Sequence, residues 1–180
     1  MKRSPNRPAA GRWQDAFIGL GSNLGRREDF LRKALKILLS HPAIKLVRAS
    51  GIYSASPVGP PQPDFLNAAV HVRTVLPPRP LFRFLMKAER SLGRRRSGPS
   101  SGPGPRVIDL DLLLYGSRRM RSRTLTLPHP RMAGRKFVLV PLREIAPDAV
   151  VPGPNATVAR LRRELTARGQ KVKLCPHLTW

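Results

Sequence analysis

The chain has 180 residues, a hydrophobic fraction of 41% and a formal net charge of +24, from 34 Lys and Arg against 10 Asp and Glu. This length and apolar content suffice to bury the core of one globular domain, and the absence of a long apolar run argues against a transmembrane helix or a secretory signal. The single cysteine, Cys175, excludes an internal disulfide, and with no export signal it predicts a cytoplasmic location.

The first half of the chain predicts alternating strands and helices. Residues 1–14 are predicted to be a disordered basic extension, and residues 15–180 to form the single domain. The segment DAFIGLGSN predicts a short buried strand that ends in a turn. The overlapping stretch LGSNLG lacks the lysine of a phosphate-binding loop, which favours a tight turn and a helix cap. Helical spacing in RREDFLRKALKILLSH predicts a first helix, and IKLVRASGIYSAS alternates as one strand. After a proline-rich loop, FLNAAVHVRTV predicts the third strand.

The second half continues with a helix, a loop and a strand. PRPLFRFLMKAERSLG predicts a second helix that Gly93 caps, and residues 97–105, all Ser, Gly and Pro, predict a mobile loop. The fourth strand follows in GPRVIDLDLLLYG, and further helices are expected at FVLVPLREIAP and VARLRRELTAR. The order β-α-β-β-α-β predicts an α+β, ferredoxin-like fold, an antiparallel sheet with helices packed on one face.

Two carboxylates in the fourth strand are the most informative feature of the sequence. Asp109 and Asp111 share one face of the strand at a separation of about 6.5–7 Å. Such a pair suits Mg²⁺ ions that also bind substrate phosphates, although it would equally decorate a solvated sheet face. Arg106 and the arginines at 94–96 suit phosphate oxygens, whereas the alternative for the latter is a solvated helix end.

Two other polar positions allow both a functional and a structural interpretation. His129 lies between two prolines and, with Arg135, could contact a phosphate, although a lone histidine is more often structural. Asn67, close to Phe65, would suit a heteroaromatic ring with hydrogen-bonding edges, or would be an ordinary buried amide. The residues alone leave both interpretations open.

Motifs spread over residues 16–152 resemble, in the same order, those of the 6-hydroxymethyl-7,8-dihydropterin pyrophosphokinase family of the folate pathway. The matching stretches are FIGLGSNLG, YSASPVGPPQPDFLNAAV, ERSLGR, GPRVIDLDLLLYG and LTLPHPRMAGRKFVLVPLREIAP. The resemblance implies transfer of pyrophosphate from ATP to the pterin hydroxymethyl group with release of AMP, using two Mg²⁺ ions as cofactors.

The resemblance also implies roles for individual residues. Asp109 and Asp111 would ligate both metal ions. The arginines that neutralise the migrating phosphates would be Arg94, Arg96 and Arg106. The ATP site would take Glu89, Leu112, Thr126, His129 and Arg135. The pterin ring would lie between Phe65 and Phe137, with Val58, Gly59 and Asn67 beside it.

The chain departs from the family pattern in the loop before the fourth strand. Pro103 stands where some members carry an aromatic residue, and no role is carried over to residues 97–103, so closure over the substrates is expected to differ. The net charge of +24 keeps a basic nucleic-acid-binding module as an alternative function, although an aromatic fraction of 6% disfavours it. A different ATP-dependent transferase is a third possibility, and no membrane partner is expected.

Overall fold

The computed structural model describes residues 12–94, 104–166 and 169–180. Its strands are β1 (Gln14–Ser22), β2 (Ile44–Ala49), β3 (Tyr53–Ala55), β4 (Phe65–Thr74), β5 (Asp109–Tyr115), β6 (Met120–Arg121), β7 (Thr126–Leu127), β8 (Val150–Val151), β9 (Ala156–Thr157) and β10 (Val172–Leu174). The helices are α1 (Arg27–Leu39), α2 (Pro78–Ser91), α3 (Lys136–Ile145) and α4 (Val158–Glu164), with a 3-10 turn at Met132–Gly134.

Several expectations fall on residues outside these ranges. They concern most of the predicted N-terminal extension, Arg96, Pro103 and most of the predicted mobile loop. The last residue of the predicted extension, Gln14, begins β1. Within the described ranges, no helix combines the length and apolar character needed to cross a membrane.

A mixed α+β architecture with an antiparallel sheet is confirmed. The main sheet has the order β10-β3-β4-β1-β5, and β2 also pairs with β4; every pairing is antiparallel. Strand β1, between β4 and β5, aligns Gly21 with Asp109 and Gly19 with Asp111 of β5. The two short pairs β6-β7 and β8-β9 lie outside this sheet.

One face of the sheet packs against α1 and α2. Alternate residues of β1 point to this side, and the helical spacing noted in the sequence places the apolar stripe of each helix against them. The main buried side chains of this layer are Ile18, Leu20, Leu31, Leu38, Leu81, Leu85, Leu110 and Leu112. The two predicted helices are therefore confirmed by the layer that they bury.

The expectation that the helices pack on one face is wrong for the third helix. α3 lies on the opposite face, where Val138, Leu139 and Leu142 form a second core with Phe17 and Leu113. Its apolar residues need a surface to bury, and the first face is already covered by α1 and α2. Because Asp109 and Asp111 share the side of β5 that carries Leu113, the carboxylates lie beside this second core rather than among the first two helices.

The single strand predicted for IKLVRASGIYSAS is in fact two strands, β2 and β3. The break lies at Ser50, whose hydroxyl accepts the Ala69 N–H at 2.9 Å and donates to the Gly51 carbonyl at 2.7 Å. Glu144 of α3 then accepts the Gly51 N–H at 3.0 Å. Because these groups are satisfied by side chains, the ladder is interrupted and resumes with β3 beside Phe65.

Candidate active site

A cleft of about 1160 Å³ opens on the face of the sheet that carries Asp109 and Asp111. Its walls come from α2, β4, β5, the segments around β7 and the beginning of α3. The sequence-predicted residues that line it are Val58, Phe65, Asn67, Arg94, Arg106, Asp109, Asp111, Leu112, Thr126, His129, Arg135 and Phe137. The fold therefore brings together positions that lie up to 79 residues apart in the chain, from Val58 to Phe137.

Asp109 is held by two arginines. Arg94 donates to its Oδ1 at 2.5 Å and Arg106 donates to its Oδ2 at 2.9 Å. Burial would raise the pKa of Asp109, but the two guanidinium groups outweigh this effect and hold the pKa below its usual range. Asp109 is therefore ionised at neutral pH, and the two hydrogen bonds fix the orientation of its carboxylate.

Asp111 is less compensated than its neighbour. Among the described residues, His129 Nε2 lies 3.9 Å and Arg135 Nη1 lies 4.0 Å from its Oδ2. Burial and the charge of Asp109 raise the pKa of Asp111 to about 6. Burial, with Arg135 and Arg131, lowers the pKa of His129 to about 4, so the imidazole is neutral at pH 7 and adds no positive charge.

The carboxylate pair fits Mg²⁺ by its chemistry. Two hard oxygen donors on one rigid strand match the preference of this ion, and a bound cation would offset the burial and the Asp109 charge that raise the pKa of Asp111. In the described part of the chain, no group of three or more His, Cys, Asp or Glu side chains could hold a metal ion. The remaining ligands would therefore be water and substrate phosphate oxygens, which is the usual arrangement for Mg²⁺ at nucleotide sites.

Glu89, for which the resemblance implies a place in the ATP site, lies buried beside β5. The side chain is 1% exposed and does not line the cleft. Its Oε1 accepts the Leu110 N–H at 2.8 Å, and the same oxygen forms an ion pair with Arg94. Through these two contacts, the buried Glu89 supports both β5 and Arg94. Gly59, with a φ of +118°, lies in the loop before β4 and also does not line the cleft.

The other end of the cleft is aromatic and contains a buried amide. Asn67 is 4% exposed, and its Nδ2 has no hydrogen-bond partner within the described ranges. The guanidinium of Arg106 lies 5.8 Å from the centroid of Phe65, and that of Arg135 lies 5.4 Å from the centroid of Phe137. A buried donor without a partner in a cleft is a position where a ligand acceptor would be stabilised.

Asn23 is a residue whose importance the sequence did not reveal. The sequence predicted only a tight turn and a helix cap for LGSNLG, yet α1 has Arg26 at its N-cap. The Asn23 Nδ2 instead donates to Gln62 Oε1 at 3.0 Å and to the Pro63 carbonyl at 3.2 Å. Its Oδ1 accepts the Arg106 N–H at 2.7 Å. Asn23 thus fastens the loop before β4 to the segment before β5.

Several further polar residues line the cleft without having been predicted. They are Ser122, Arg123, Thr124, Arg131, Gln62 and Gln170. The only sequence signals were the basic cluster at 118–123 and the position of Arg131 beside the predicted His129 motif. Gln170 had no signal, because its neighbours in the chain show neither a motif nor a hydrophobic period.

Comparison with known proteins is consistent with this geometry. The family described as 7,8-dihydro-6-hydroxymethylpterin-pyrophosphokinase (HPPK) matches residues 17–147. A Synechocystis relative named 2-amino-4-hydroxy-6-hydroxymethyldihydropteridine pyrophosphokinase is 43% identical over 146 residues, covering 81% of this chain and 73% of its own. A Bacillus subtilis relative of the same name is 44% identical over 131 residues, covering 72% of this chain and 77% of its own.

The fold also matches solved structures. Wild-type Plasmodium falciparum HPPK-DHPS with STZ-DHP superposes with a TM-score of 0.67 at 12% identity, over 87% of this chain and 44% of that chain. The present chain thus spans less than half of that longer protein, and the likeness concerns the fold. On the strength of the family match and the curated relatives, the chain belongs to the 7,8-dihydro-6-hydroxymethylpterin-pyrophosphokinase family.

Proposed function

We propose that this chain transfers pyrophosphate from ATP to 6-hydroxymethyl-7,8-dihydropterin and releases AMP, as a step of folate biosynthesis. The observation that carries the proposal is that one cleft joins two carboxylates and their arginines to a buried amide and two aromatic rings. The first group suits a metal-bound polyphosphate and the second suits a flat heterocycle, as the reaction requires. Family membership supports the same assignment.

The polyphosphate end would bind ATP with two Mg²⁺ ions held by Asp109 and Asp111. When bound, these ions would supply positive charge to the group being transferred. Arg94, Arg106 and Arg135, with Arg96, would bind phosphate oxygens through their planar forks. In the transfer, the pterin hydroxyl oxygen forms a bond to the β-phosphorus of ATP, the bond from that phosphorus to the oxygen shared with the α-phosphorus breaks, and the hydroxyl proton is released.

The aromatic end would bind the pterin between Phe65 and Phe137. Offset stacking on each ring buries the faces of the heterocycle, and the Asn67 Nδ2 would donate to an acceptor on its edge. Val58 would form the rim beside it, and Gly59 follows Val58 in the loop before β4. Burial of Asn67 makes this hydrogen bond specific, because an analogue without the acceptor would leave the amide unsatisfied.

The framework behind this site is proposed to be ferredoxin-like. The strand order β5-β1-β4-β2, with α1 following β1 and α2 following β4, supports this assignment. The carboxylates then lie on the face of strand β5 rather than on a loop, which favours a fixed geometry. A cytoplasmic location is part of the proposal because the reaction consumes ATP.

The test is to incubate the protein with ATP, Mg²⁺ and hydroxymethyldihydropterin and to measure AMP and ADP. AMP is expected, whereas ADP would indicate ordinary kinase chemistry and a different ATP-dependent transferase. Asp109→Ala and Asp111→Ala should each abolish AMP formation while the protein stays folded; Asp148→Ala, at an exposed position outside the cleft, is the matched control. Retained turnover in both cleft variants would contradict the metal role.

A nucleic-acid-binding function is the competing outcome of this experiment. The net charge of +24 is the observation that favours it. Salt-sensitive binding of duplex DNA or RNA near physiological ionic strength, with no AMP formed from ATP and the pterin, would replace the enzymatic proposal.

A further inference from the structure

The C-terminal segment returns to the cleft and lies beyond the residues that match the family. The match covers residues 17–147, whereas β10 begins at Val172 and pairs Val172 with Ala55 of β3. Just before β10, Lys171 donates its N–H to Ser56 Oγ at 3.2 Å, and Ser56 donates its N–H to the Lys171 carbonyl at 3.2 Å. These contacts anchor the segment beside the cleft wall.

The Gln170 side chain, which directly precedes this anchored segment, contacts the first turn of α3. Its Oε1 accepts the Lys136 N–H at 2.8 Å, and its Nε2 donates to the Gly134 carbonyl at 3.2 Å. The first N–H groups of a helix have no partner within the helix, and the N-cap residue of α3, Arg135, makes no side-chain cap hydrogen bond. A side chain 34 residues away in the sequence supplies the missing acceptor.

The backbone segment that Gln170 contacts positions Arg135 at the polyphosphate end of the cleft and Phe137 at the pterin end. Arg135 lies between the two bonded groups and faces Asp111 at 4.0 Å. Phe137 follows Lys136 directly, and its ring lies under the Arg135 guanidinium. A shift of this backbone would therefore move both the arginine and the aromatic ring.

We propose that Gln170 is a positioning residue that fixes the Gly134–Lys136 backbone and thereby sets the placement of Arg135 for the polyphosphate and of Phe137 for the pterin. The proposal rests on the function proposed above. It extends the active site beyond the matched part of the chain, because a C-terminal residue then governs the affinity for both substrates.

The experiment compares Gln170→Ala and Gln170→Glu with the wild-type chain. Gln170→Ala removes both hydrogen bonds and is expected to raise KM for ATP and for the pterin, each by about 3- to 10-fold, with a smaller effect on kcat. Gln170→Glu keeps an acceptor for the Lys136 N–H but cannot donate to the Gly134 carbonyl, so an intermediate rise is expected. Lys171→Ala, which removes an exposed side chain from the same segment, is the matched control and should behave as wild type.

Hydrogen exchange at the Lys136 amide gives a readout that does not depend on turnover. Exchange should be faster in Gln170→Ala than in the wild type and should recover in Gln170→Glu. Unchanged KM values for both substrates would overturn the proposal, whether or not thermal stability falls. If Gln170→Ala does not fold, the KM values of Gln170→Glu decide by the same criterion. Absence of AMP from the wild type would instead overturn the proposed function, and the exchange rates would still test the backbone contact.

Discussion

Replacing Asn67 by leucine is expected to stabilise the free protein and to weaken pterin binding at the same time. The Asn67 side chain is 4% exposed, and its Nδ2 donor meets no acceptor in the parts of the chain described above. Leucine has nearly the same shape and has no polar group to leave unsatisfied. The variant therefore removes the free-energy penalty of burying an unpaired amide donor in the free protein.

The size of both effects follows from the hydrogen bond that the amide lacks. A buried donor without a partner costs about 1–3 kcal/mol, so the free energy of unfolding should rise by up to about this amount. For a chain of this length, the melting temperature should rise by about 2–4 °C per kcal/mol. Loss of the same hydrogen bond in the complex should weaken pterin binding about 5- to 140-fold.

Asn23→Leu is the matched control, because Asn23 is the same residue type, is 2% exposed, and has both ends of its amide satisfied. It should lower the free energy of unfolding by about 1–3 kcal/mol, opposite in sign to Asn67→Leu. Urea unfolding and calorimetric titration with the pterin measure the two quantities. A destabilised Asn67→Leu, or one with unchanged pterin affinity, would refute the reasoning.

The remaining predictions concern the support of the cleft and its surroundings. Arg94→Met removes the cation from a buried ion pair with Glu89 and should cost about 3–5 kcal/mol in urea unfolding; a cost below about 1 kcal/mol would contradict it. Gly21→Ala places a Cβ 3.2 Å from Asn67 Oδ1 and should raise the pterin KM several-fold. In the control Gly19→Ala, the nearest atom to the new Cβ is 3.4 Å away, so the pterin KM should stay near the wild-type value. Burial and a neighbouring carboxylate raise the pKa of Tyr53 from 10.0 to about 12. The folded state thus holds this proton more tightly, so the associated stability is present below pH 10 and lost as pH rises toward 12, a component that Tyr53→Phe should remove.

Local patterns predicted the elements that bury one continuous face. Alternation in β5 and the helical spacing of α1 and α2 each reflect packing against the first core, so their existence could be predicted from the sequence. The break between β2 and β3 could not, because it depends on the Ser50 hydroxyl accepting an N–H from Ala69. That contact joins two residues 19 positions apart in the chain and produces no periodic pattern in the sequence.

The candidate site was predictable where residue type and chain order carry the information. Asp109 and Asp111 stand out as acidic residues in an apolar strand, and the family motifs supplied most of the other cleft residues. The sequence could not separate Glu89 from them, since only tertiary packing decides which carboxylate faces the cleft and which lies beneath the strand. The role of Gln170 could not be predicted for a similar reason, because it comes from tertiary contacts with Gly134 and Lys136.

The pairing of each aromatic ring with an arginine links the two ends of the cleft. In the free protein, Arg106 lies over Phe65 and Arg135 lies over Phe137. A nucleotide that draws the guanidinium groups toward its phosphates would uncover the ring faces for the heterocycle. By thermodynamic reciprocity, the nucleotide would raise the affinity for the pterin by the same factor as the pterin raises that for the nucleotide.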